Sequence, residues 1–494
     1  MFSRIAPRSR SGALCFTLLL CGCKAFGPDY KAPQLSTHDV PARWTSPIDA
    51  PGAATTASTA PATQWWSELG DATLDRLVAE AFNNSPTLEA ALARLNESRA
   101  LHSEARSAAL PGADAEAGTR RSSSDDSGPG NQRWLGLNSS WELDLFGAVR
   151  RGEEGAAARE EAKRATLADA RVSLAADVAD AYLSYRACQS NLALSEQDVA
   201  SREATRKLTA DSIEVGFTAP YQGIRSAASV AEARTRLAET RAQCQQLENL
   251  ITRLTGILRP ALAQVLAVRP TGLDRLPEPK RFDIAVPTQA VLQRPDVRFA
   301  ERSLAAASAD IGLAVADRFP RLALAGSLGY STSGSNSAGY LSFGSWSFGP
   351  TISLPVFDAG RRAAAVKAAE SRYDETLATY KAKARDAIQE IENALTRYAA
   401  ANERADNARV AASQYQHFFE AVEQRYREGA SNLLELEDAR RTMLDARQTL
   451  LGVQKERLQA WITLNRATGG AAQYAPEPTP GTPAKPPASQ PVSS

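Results

Sequence analysis

The sequence predicts a mainly α-helical protein that also carries membrane β-strands. Its plan is a duplicated unit of helix, β-hairpin and long helical hairpin. Three observations support this fold class: two long stretches without glycine or proline, several segments in which large apolar and small polar residues alternate, and an internal repeat that covers most of the chain.

The long helices are predicted first. Residues 156–215 and 361–428 contain neither glycine nor proline, so each can form one uninterrupted helix. At 1.5 Å per residue such helices reach about 90–100 Å. In the second stretch apolar residues recur at steps of three and four, through Tyr380, Ile391 and Tyr398, and many of the others are alanine. This pattern predicts helices that pack closely side by side.

The alternating segments predict strands, because a period of two is the spacing of a β-strand. An apolar face opposite a small polar face, over about 10 residues, is typical of an outer-membrane strand. The segment 112–121 alternates poorly. On the pattern alone, a soluble hairpin with one buried face is the alternative. The residues predicted to face lipid are Leu135, Leu137, Trp141, Leu143, Trp346, Phe348 and Ile352.

The two halves of the chain repeat one another. Pro86 and Pro295 are 209 residues apart, and LFGAVRR at 145–151 corresponds to VFDAGRR at 356–362. Each half therefore supplies one β-hairpin, and the chain supplies four strands. Four strands cannot close a barrel, and an open edge in lipid leaves backbone groups unpaired. Insertion into a bilayer therefore requires several chains to share one barrel.

The N-terminus has the layout of a secretory signal, with basic residues before an apolar stretch at 13–20. That stretch is shorter than the roughly 20 residues of a spanning helix. The following LCGC at 20–23 looks like a bacterial lipobox, with Cys23 as the lipidated mature N-terminus. An ordinary signal peptide with incidental cysteines is the alternative. Lys24 follows, and no Asp is present there to favour inner-membrane retention, so we expect the outer membrane.

These patterns set the expected bounds. The predicted regions are a signal peptide at 1–22, a lipid-anchored extended tether at 23–62, a first repeat at 63–256, an inter-repeat linker at 257–285, a second repeat at 286–469 and a disordered proline-rich tail at 470–494. The predicted strands are about 112–121, 133–145, 321–330 and 342–354, and the predicted long helices are 152–215, 224–255, 361–428 and 433–468.

Composition argues against catalysis. The formal net charge is +1, which gives no bulk attraction for nucleic acid. The three histidines lie in no motif, and no phosphate-binding loop, dinucleotide fingerprint, zinc-protease motif or nucleophile elbow occurs. We therefore expect no catalytic, cofactor-binding or metal site, and no cofactor.

Five motifs carry a family resemblance: FGPDYKAP (26–33), WWSELGDATLDRLVAEA (65–81), SWELDLFG (140–147), FGPTISLPVFDAGRR (348–362) and REGASNLLELEDARRTMLDARQTLL (427–451). With the lipobox, they make the chain resemble the TolC/OprM-type outer-membrane efflux factors, in their NodT-like lipoprotein branch, up to about residue 470. The resemblance implies a homotrimer in which a shared 12-stranded β-barrel crosses the outer membrane and an α-barrel spans the periplasm. It also implies a periplasmic membrane-fusion adaptor and an inner-membrane RND-type pump as partners, and passive conduction of small molecules.

The resemblance also implies a periplasmic gate at the turns 216–222 and 429–433. The family's aperture pattern corresponds to Tyr426, Leu434, Asp438 and Arg441 in this sequence. Leu434 would plug the pore, and Asp438 and Arg441 would hold helices together by charge pairs. A solvated pair on one helix is the alternative for those two charges. The first turn, GFTAPYQG, departs from the charged pattern of the family.

Cys188 and Cys244 lie on the two arms of the first long helical hairpin. Their numbers average to 216, close to the centre of the turn, so they lie at nearly the same height. The periplasm is oxidising and favours a disulfide there. Two small residues packed in a helix seam are the alternative.

Other readings of the whole chain stay open. A channel of the same architecture for metal ions or polypeptides has nearly the same sequence pattern. A non-channel lipoprotein tether built as a coiled coil predicts neither alternating strands nor a repeat.

Overall fold

The structure is a computed structural model that describes residues 25–35, 40–46, 53–54, 64–124, 128–267, 282–283, 287–335 and 339–470. The predicted signal peptide, Cys23, part of the predicted tether and the predicted tail beyond Gly470 lie outside these residues.

The described chain has the order predicted from its repeat. The α-helices are α1 (Ala72–Asn84), α2 (Pro86–Ser107), α3 (Ala148–Glu214), α4 (Pro220–Thr255), α5 (Arg259–Ala267), α6 (Pro287–Gln293), α7 (Pro295–Ala316), α8 (Arg361–Arg427) and α9 (Leu433–Ala467). The strands of the main sheet are β1 (Gly112–Ser124), β2 (Gly128–Leu143), β3 (Arg321–Ser335) and β4 (Gly339–Ser353). A further parallel pair joins Ala53–Ala54 to Phe282–Asp283.

Two helix starts differ from the sequence-based bounds, and both have a local cause. Helix α3 begins at Ala148 rather than 152, because the Asp144 carboxylate accepts the N–H groups of Val149 and Arg150 at 3.2 and 3.0 Å. This cap adds residues 148–151, about one turn, to the start of the predicted helix. Helix α4 begins at Pro220 rather than 224, since proline is favoured at a first helical position.

The predicted linker at 257–285 contains helix α5, so it is not a simple connection. Leu262, Val265 and Leu266 of this helix are buried in the main core. Their spacing of three and one places them on one face of a short amphipathic helix. The linker prediction missed this helix because it is only nine residues long.

The chain forms two compact units, which are described separately. The first comprises residues 1–39, 89–167 and 296–386. Its sheet is antiparallel throughout, in the order β1-β2-β3-β4. The central pairing, β2 with β3, joins a strand of the first repeat to a strand of the second. Because β1 and β4 have one neighbour each, both outer edges of the sheet are unpaired within the described chain.

Strand β1 corrects one sequence-based statement. Residues 112–121 do alternate, with Ala113, Ala115 and Ala117 on one face and Asp114 and Glu116 on the other. The alternation is weak in the sequence because its apolar members are alanines. The strand also runs further than predicted, to Ser124, and its partner β2 begins at Gly128 rather than 133.

The second unit comprises residues 40–88, 168–295 and 387–494. Its main core is formed by buried side chains of Trp65–Leu69, α1, α3, α4, α5 and α9. Trp65 and Trp461 meet edge to face with ring centroids 5.4 Å apart. The Tyr182 hydroxyl donates to Asp71 at 2.7 Å, and burial beside that carboxylate raises the pKa of Tyr182. Asp71 also caps α1 through the Thr73 N–H, which joins the cap to the core.

Among the described helices, none is on its own long and apolar enough to cross a membrane. The bent pair α4 and α5, which meet at 106°, satisfies that test by length and composition only.

Candidate functional site

The two long helical hairpins end in turns of the same geometry. Gly216 and Gly429 follow the last helical residues with φ of 81° and 75°, a left-handed conformation that favours glycine. In both turns the glycine N–H bonds to a carbonyl three residues back, and the next N–H bonds to one five residues back. This is the Schellman arrangement that closes a helix C-terminus. The repeat therefore extends to the hydrogen bonds of the turns.

Close to these turns a buried polar cluster joins the two hairpins. Glu437 of α9 accepts hydrogen bonds from Arg202 at 2.7 Å, from Ser229 at 2.9 Å and from Arg440. Arg202 also donates to Asp198 at 2.8 Å, and the second amino group of Arg440 donates to Thr205 at 2.8 Å. Glu437 and Arg440 belong to the second hairpin and their partners to the first. In this cluster the two hairpins are therefore linked by the buried charge pair of Arg202 with Glu437 and by hydrogen bonds from Ser229 to Glu437 and from Arg440 to Thr205.

Arg440 is the centre of this cluster and is only 1% exposed. Its guanidinium also lies over the Phe419 ring, 5.6 Å from the centroid. Burial lowers the pKa of Arg440, and Glu437 opposes that effect. A guanidinium stays protonated at physiological pH even so. A buried cation of this kind depends on its counter-charge, so Glu437 is the most sensitive member of the cluster.

The sequence analysis did not predict this cluster. It predicted a role for the adjacent residues Asp438 and Arg441 instead. A signal was present: Leu436, Arg440 and Met443 recur at steps of four and three, so Arg440 occupies an apolar seam position of α9. A charged residue in such a position needs a buried partner. The resemblance directed attention to Asp438 and Arg441 instead.

The four predicted gate residues have different surroundings. Asp438 and Arg441 pair with one another on α9, and their side chains are 60% and 66% exposed. Leu434 is 56% exposed. The Tyr426 hydroxyl lies 3.1 Å from the Thr209 hydroxyl, which makes it a second link between the hairpins. Within one chain, Tyr426 thus joins two hairpins, whereas Leu434, Asp438 and Arg441 face solvent.

The first turn presents an apolar surface. Phe217 is 88% exposed, Ile224 74%, and Val215 and Tyr221 about two thirds. Single exposed apolar side chains are common on protein surfaces, but a cluster of four at one turn is typical of a contact surface for another protein. We call these four residues the first-turn patch.

Cys188 and Cys244 form a disulfide between α3 and α4, with their Cα atoms 5.6 Å apart. The cross-link joins the two arms of the first hairpin and closes a loop of 56 residues. It lies in the same unit as the buried cluster. The first hairpin is therefore the covalently fixed one of the two.

Replacing both cysteines by serine is expected to lower the free energy of unfolding by roughly 2–4 kcal/mol, because the unfolded chain regains the entropy of the loop. Thermal unfolding of the oxidised protein with and without reductant measures this. The double variant serves as the control, since reductant should not change its midpoint. Recovery of two alkylated thiols from the unreduced, freshly extracted protein would contradict the cross-link.

The four-stranded sheet has one apolar and one polar face. Directly paired residues share a face, and the register aligns Leu137 with Leu328 and Trp346, and Leu143 with Leu322 and Ile352. All seven residues predicted to face lipid lie on this one face. Six are exposed, from 36% for Trp141 to 78% for Trp346, and Leu143 is half-buried. The strand residues Asp114, Glu116, Arg120, Glu142 and Arg321 lie on the opposite face.

Residues 25–30 are held against the end of the sheet from which β2 continues toward α3. Phe26 stacks on Phe319 at 4.2 Å, and Phe319 stacks on Phe146 at 5.2 Å. Arg151, 4% exposed, donates to the carbonyl of Phe26 at 3.2 Å and to Asp29 at 2.7 Å. We call this group the N-terminal clamp. It fixes the chain two residues after Cys23.

In the part of the chain that the structure describes, no group of three or more His, Cys, Asp or Glu side chains is arranged to hold a metal ion. The features that stand out are a sheet with a band of exposed apolar side chains on one face and two long helical hairpins linked near their turns. This combination defines a subunit of an outer-membrane channel.

Comparison with known proteins gives the family. The family model for outer membrane efflux proteins matches residues 77–257 and 286–470, one segment for each repeat. The outer membrane protein OprJ of Pseudomonas aeruginosa is 33% identical over 82% of this chain and 86% of its own length. The toluene efflux pump outer membrane protein TtgF of Pseudomonas putida is 33% identical over 82% of this chain and 85% of its own length. The solved outer-membrane channel OprN is 29% identical, with a TM-score of 0.76, over 90% of this chain and 99% of that one.

The chain belongs to the outer membrane efflux protein family. The predicted family, fold class, outer-membrane location and efflux function are confirmed by these matches. Its relatives are components of efflux pumps.

Proposed function

We propose that three copies of this chain assemble into the outer-membrane exit duct of a tripartite efflux pump. The observation that carries the proposal is the sheet: four strands with one apolar face and two unpaired edges. Such edges have no hydrogen-bond partner in lipid, so β1 of one copy pairs with β4 of the next. Four strands from each of three copies close a barrel of about 12 strands, with the apolar face toward lipid.

The assembly is tested by measuring mass in mild detergent. Light scattering, corrected for bound detergent, is expected to give three times the mass of the mature chain. A monodisperse monomer that still conducts ions in a bilayer would defeat the proposal.

The same proposal includes a lipid anchor on Cys23. The N-terminal clamp supports it, because Ala25 lies against Gly147 beside the sheet. Two residues reach at most about 7 Å. The acyl chains would therefore start at the membrane boundary on the helix side of the sheet. One or two such chains hold a protein on a bilayer without spanning it.

Replacing Cys23 by Ser is expected to abolish incorporation of radiolabelled palmitate, because the thioether that carries the lipid cannot form. Cys21→Ser is the matched control, since residue 21 is removed with the signal and labelling should persist. Continued labelling of the Cys23→Ser protein would overturn the anchor. Trimer formation is expected to survive, because the strands supply their own apolar band.

The turn end of the hairpins is proposed to be the periplasmic gate. Leu434 lies exposed near the turn, where three copies could meet, and Asp438 and Arg441 lie one and two helical turns further along α9. In the assembly, these solvent-facing charges would pair with neighbouring copies. An exposed pair contributes only about 0.2–1 kcal/mol, so the symmetry copies must act together.

The partners we propose are a periplasmic adaptor at the turn end and, through it, an inner-membrane RND-type pump. The first-turn patch supports the adaptor contact, since Phe217 and its neighbours offer an apolar surface for a helical hairpin. The duct conducts small molecules passively and catalyses no reaction. Channels of this build for metal ions or polypeptides are the alternative, and the pump that is present decides between them.

A further inference from the structure

Two arginines lie on the lipid-facing side of the sheet beyond its apolar residues. The register pairs Arg133 with Thr119 and Thr332, and Arg121 with Asn131. Both therefore share the face of Leu135 and Leu137. They lie toward the distal end of the sheet, which we define by Ser124, Gly128, Ser335 and Gly339.

Their height matches the boundary of a membrane. From Leu143 to Leu135 the apolar face covers eight residues of β2, or about 27 Å along the strand. With a tilt of about 40° this is about 21 Å, close to the roughly 25 Å band of an outer-membrane barrel. Tyr330 lies opposite Leu135, and Tyr340 lies in the row of Arg121. Tyrosines at this level are typical of the interface, so the two arginines lie at headgroup depth.

All the charged side chains at the described positions of this face are positive. At the described outward positions of the four strands, Arg121 and Arg133 are the only charged residues, and both are exposed. The acidic strand residues Asp114, Glu116 and Glu142 all lie on the opposite face. Within the described residues, neither arginine makes a salt bridge or side-chain hydrogen bond. The outward face therefore carries uncompensated positive charge at one depth.

The two guanidiniums are close enough to act together. Asn131 and Arg133 are two positions apart on β2, so Arg121 and Arg133 are diagonal neighbours across the β1–β2 pair. Such pairs lie about 7–8 Å apart at Cα, within reach of long side chains. Guanidiniums bind phosphate through two parallel hydrogen bonds.

We propose that Arg121 and Arg133 form a binding site for the phosphorylated headgroup of an outer-leaflet glycolipid of the lipid A type. One such site occurs per chain, so a trimer carries three. The proposal rests on the proposed function only in that the distal end of the sheet faces the outer leaflet. The apolar face below the pair contacts the acyl chains of the same lipid.

The test is titration of the purified full-length protein with bisphosphorylated lipid A, with bound lipids counted per chain by native mass spectrometry. Arg121→Gln with Arg133→Gln is expected to weaken binding about tenfold or more, which corresponds to about 1.4 kcal/mol. Arg120→Gln is the matched control: this exposed residue is adjacent to Arg121 and lies on the opposite face. Its affinity should equal that of the unaltered chain.

Two further lipids identify the ligand. Dephosphorylated lipid A should bind the unaltered chain as weakly as bisphosphorylated lipid A binds the double variant. Phosphatidylglycerol tests charge without the glycolipid headgroup and should bind at least tenfold more weakly. Equal binding by the double variant and the unaltered chain, or by phosphatidylglycerol and lipid A, would overturn the site. Because lipid is counted per chain, the result stands whether or not the protein is trimeric, and mass and conductance report the proposed function separately.

Discussion

Replacing Glu437 by Ala is expected to destabilise the helical hairpins by roughly 3–5 kcal/mol, the usual cost of removing one partner from a buried charge pair. The change leaves Arg202 and Arg440, 6% and 1% exposed as side chains, with Asp198 as the remaining buried acid of the cluster. It also removes the group that joins Ser229 and Arg202 of the first hairpin to α9. Guanidinium-induced loss of the helical circular-dichroism signal measures the free-energy change.

The neighbouring Asp438→Ala is the matched control, since it removes a carboxylate of the same helix that pairs in solvent. Its effect should stay within about 1 kcal/mol. Glu437→Gln keeps the hydrogen-bond geometry without the charge and should fall between the two. Equal destabilisation by Glu437→Ala and Asp438→Ala would mean that burial of the cluster has no energetic consequence.

Replacing Phe348 by Arg is expected to impair membrane insertion most strongly among substitutions on the sheet. Phe348 aligns with Gly326 and Ser139, midway between the rows of Leu135 and Leu143. An arginine at the bilayer midplane of an outer-membrane strand costs about 2–4 kcal/mol per chain, and the cost falls to about 0–1 kcal/mol near the interfaces. The yield of heat-stable trimer in outer-membrane fractions measures the effect.

Two control variants distinguish the effect of depth in the membrane from the effect of the face of the sheet. Ile352→Arg lies on the same face but at the row of Leu143, near the helix side of the sheet, so its cost should be much smaller. Ser347 is adjacent to Phe348 and lies on the polar face. The Ser347→Arg protein should therefore assemble normally, and its added positive charge should reduce cation conductance. Normal assembly of Phe348→Arg together with loss of the Ser347→Arg protein would reverse the assignment of the two faces.

The sequence predicts the repeat, the helices and the strand faces well because each is a periodic property. Alternation predicts that Leu137 and Trp346 face the same side, and the strand register confirms it, because both pair with Leu328. Local sequence patterns predict the bounds of an element poorly where a single contact determines where it begins, or where its apolar face is made of small residues. The start of α3 depends on the Asp144 cap, and the alternation of β1 is carried by alanines that a search for large side chains overlooks.

The buried cluster shows the limit of motif-based reasoning about a site. Asp438 and Arg441 lie within a family motif, yet in the chain they pair with each other in solvent. Glu437 directly precedes Asp438, and Arg440 directly precedes Arg441. These two preceding residues join the two hairpins. Which members of an alternating run of charges become buried depends on contacts with residues more than 200 positions away, such as Thr205. A single sequence does not contain that pairing.

The central claim is that copies of this chain form a continuous duct with a gate at the helical turns. Single-channel recording of the purified protein in a planar bilayer tests it most directly. We expect uniform, small conductance steps from the unaltered protein and clearly larger ones from Asp438→Ala with Arg441→Ala, because the charge pairs between copies no longer narrow the aperture. An intact, correctly inserted trimer that carries no ion current, with or without these substitutions, would contradict the account.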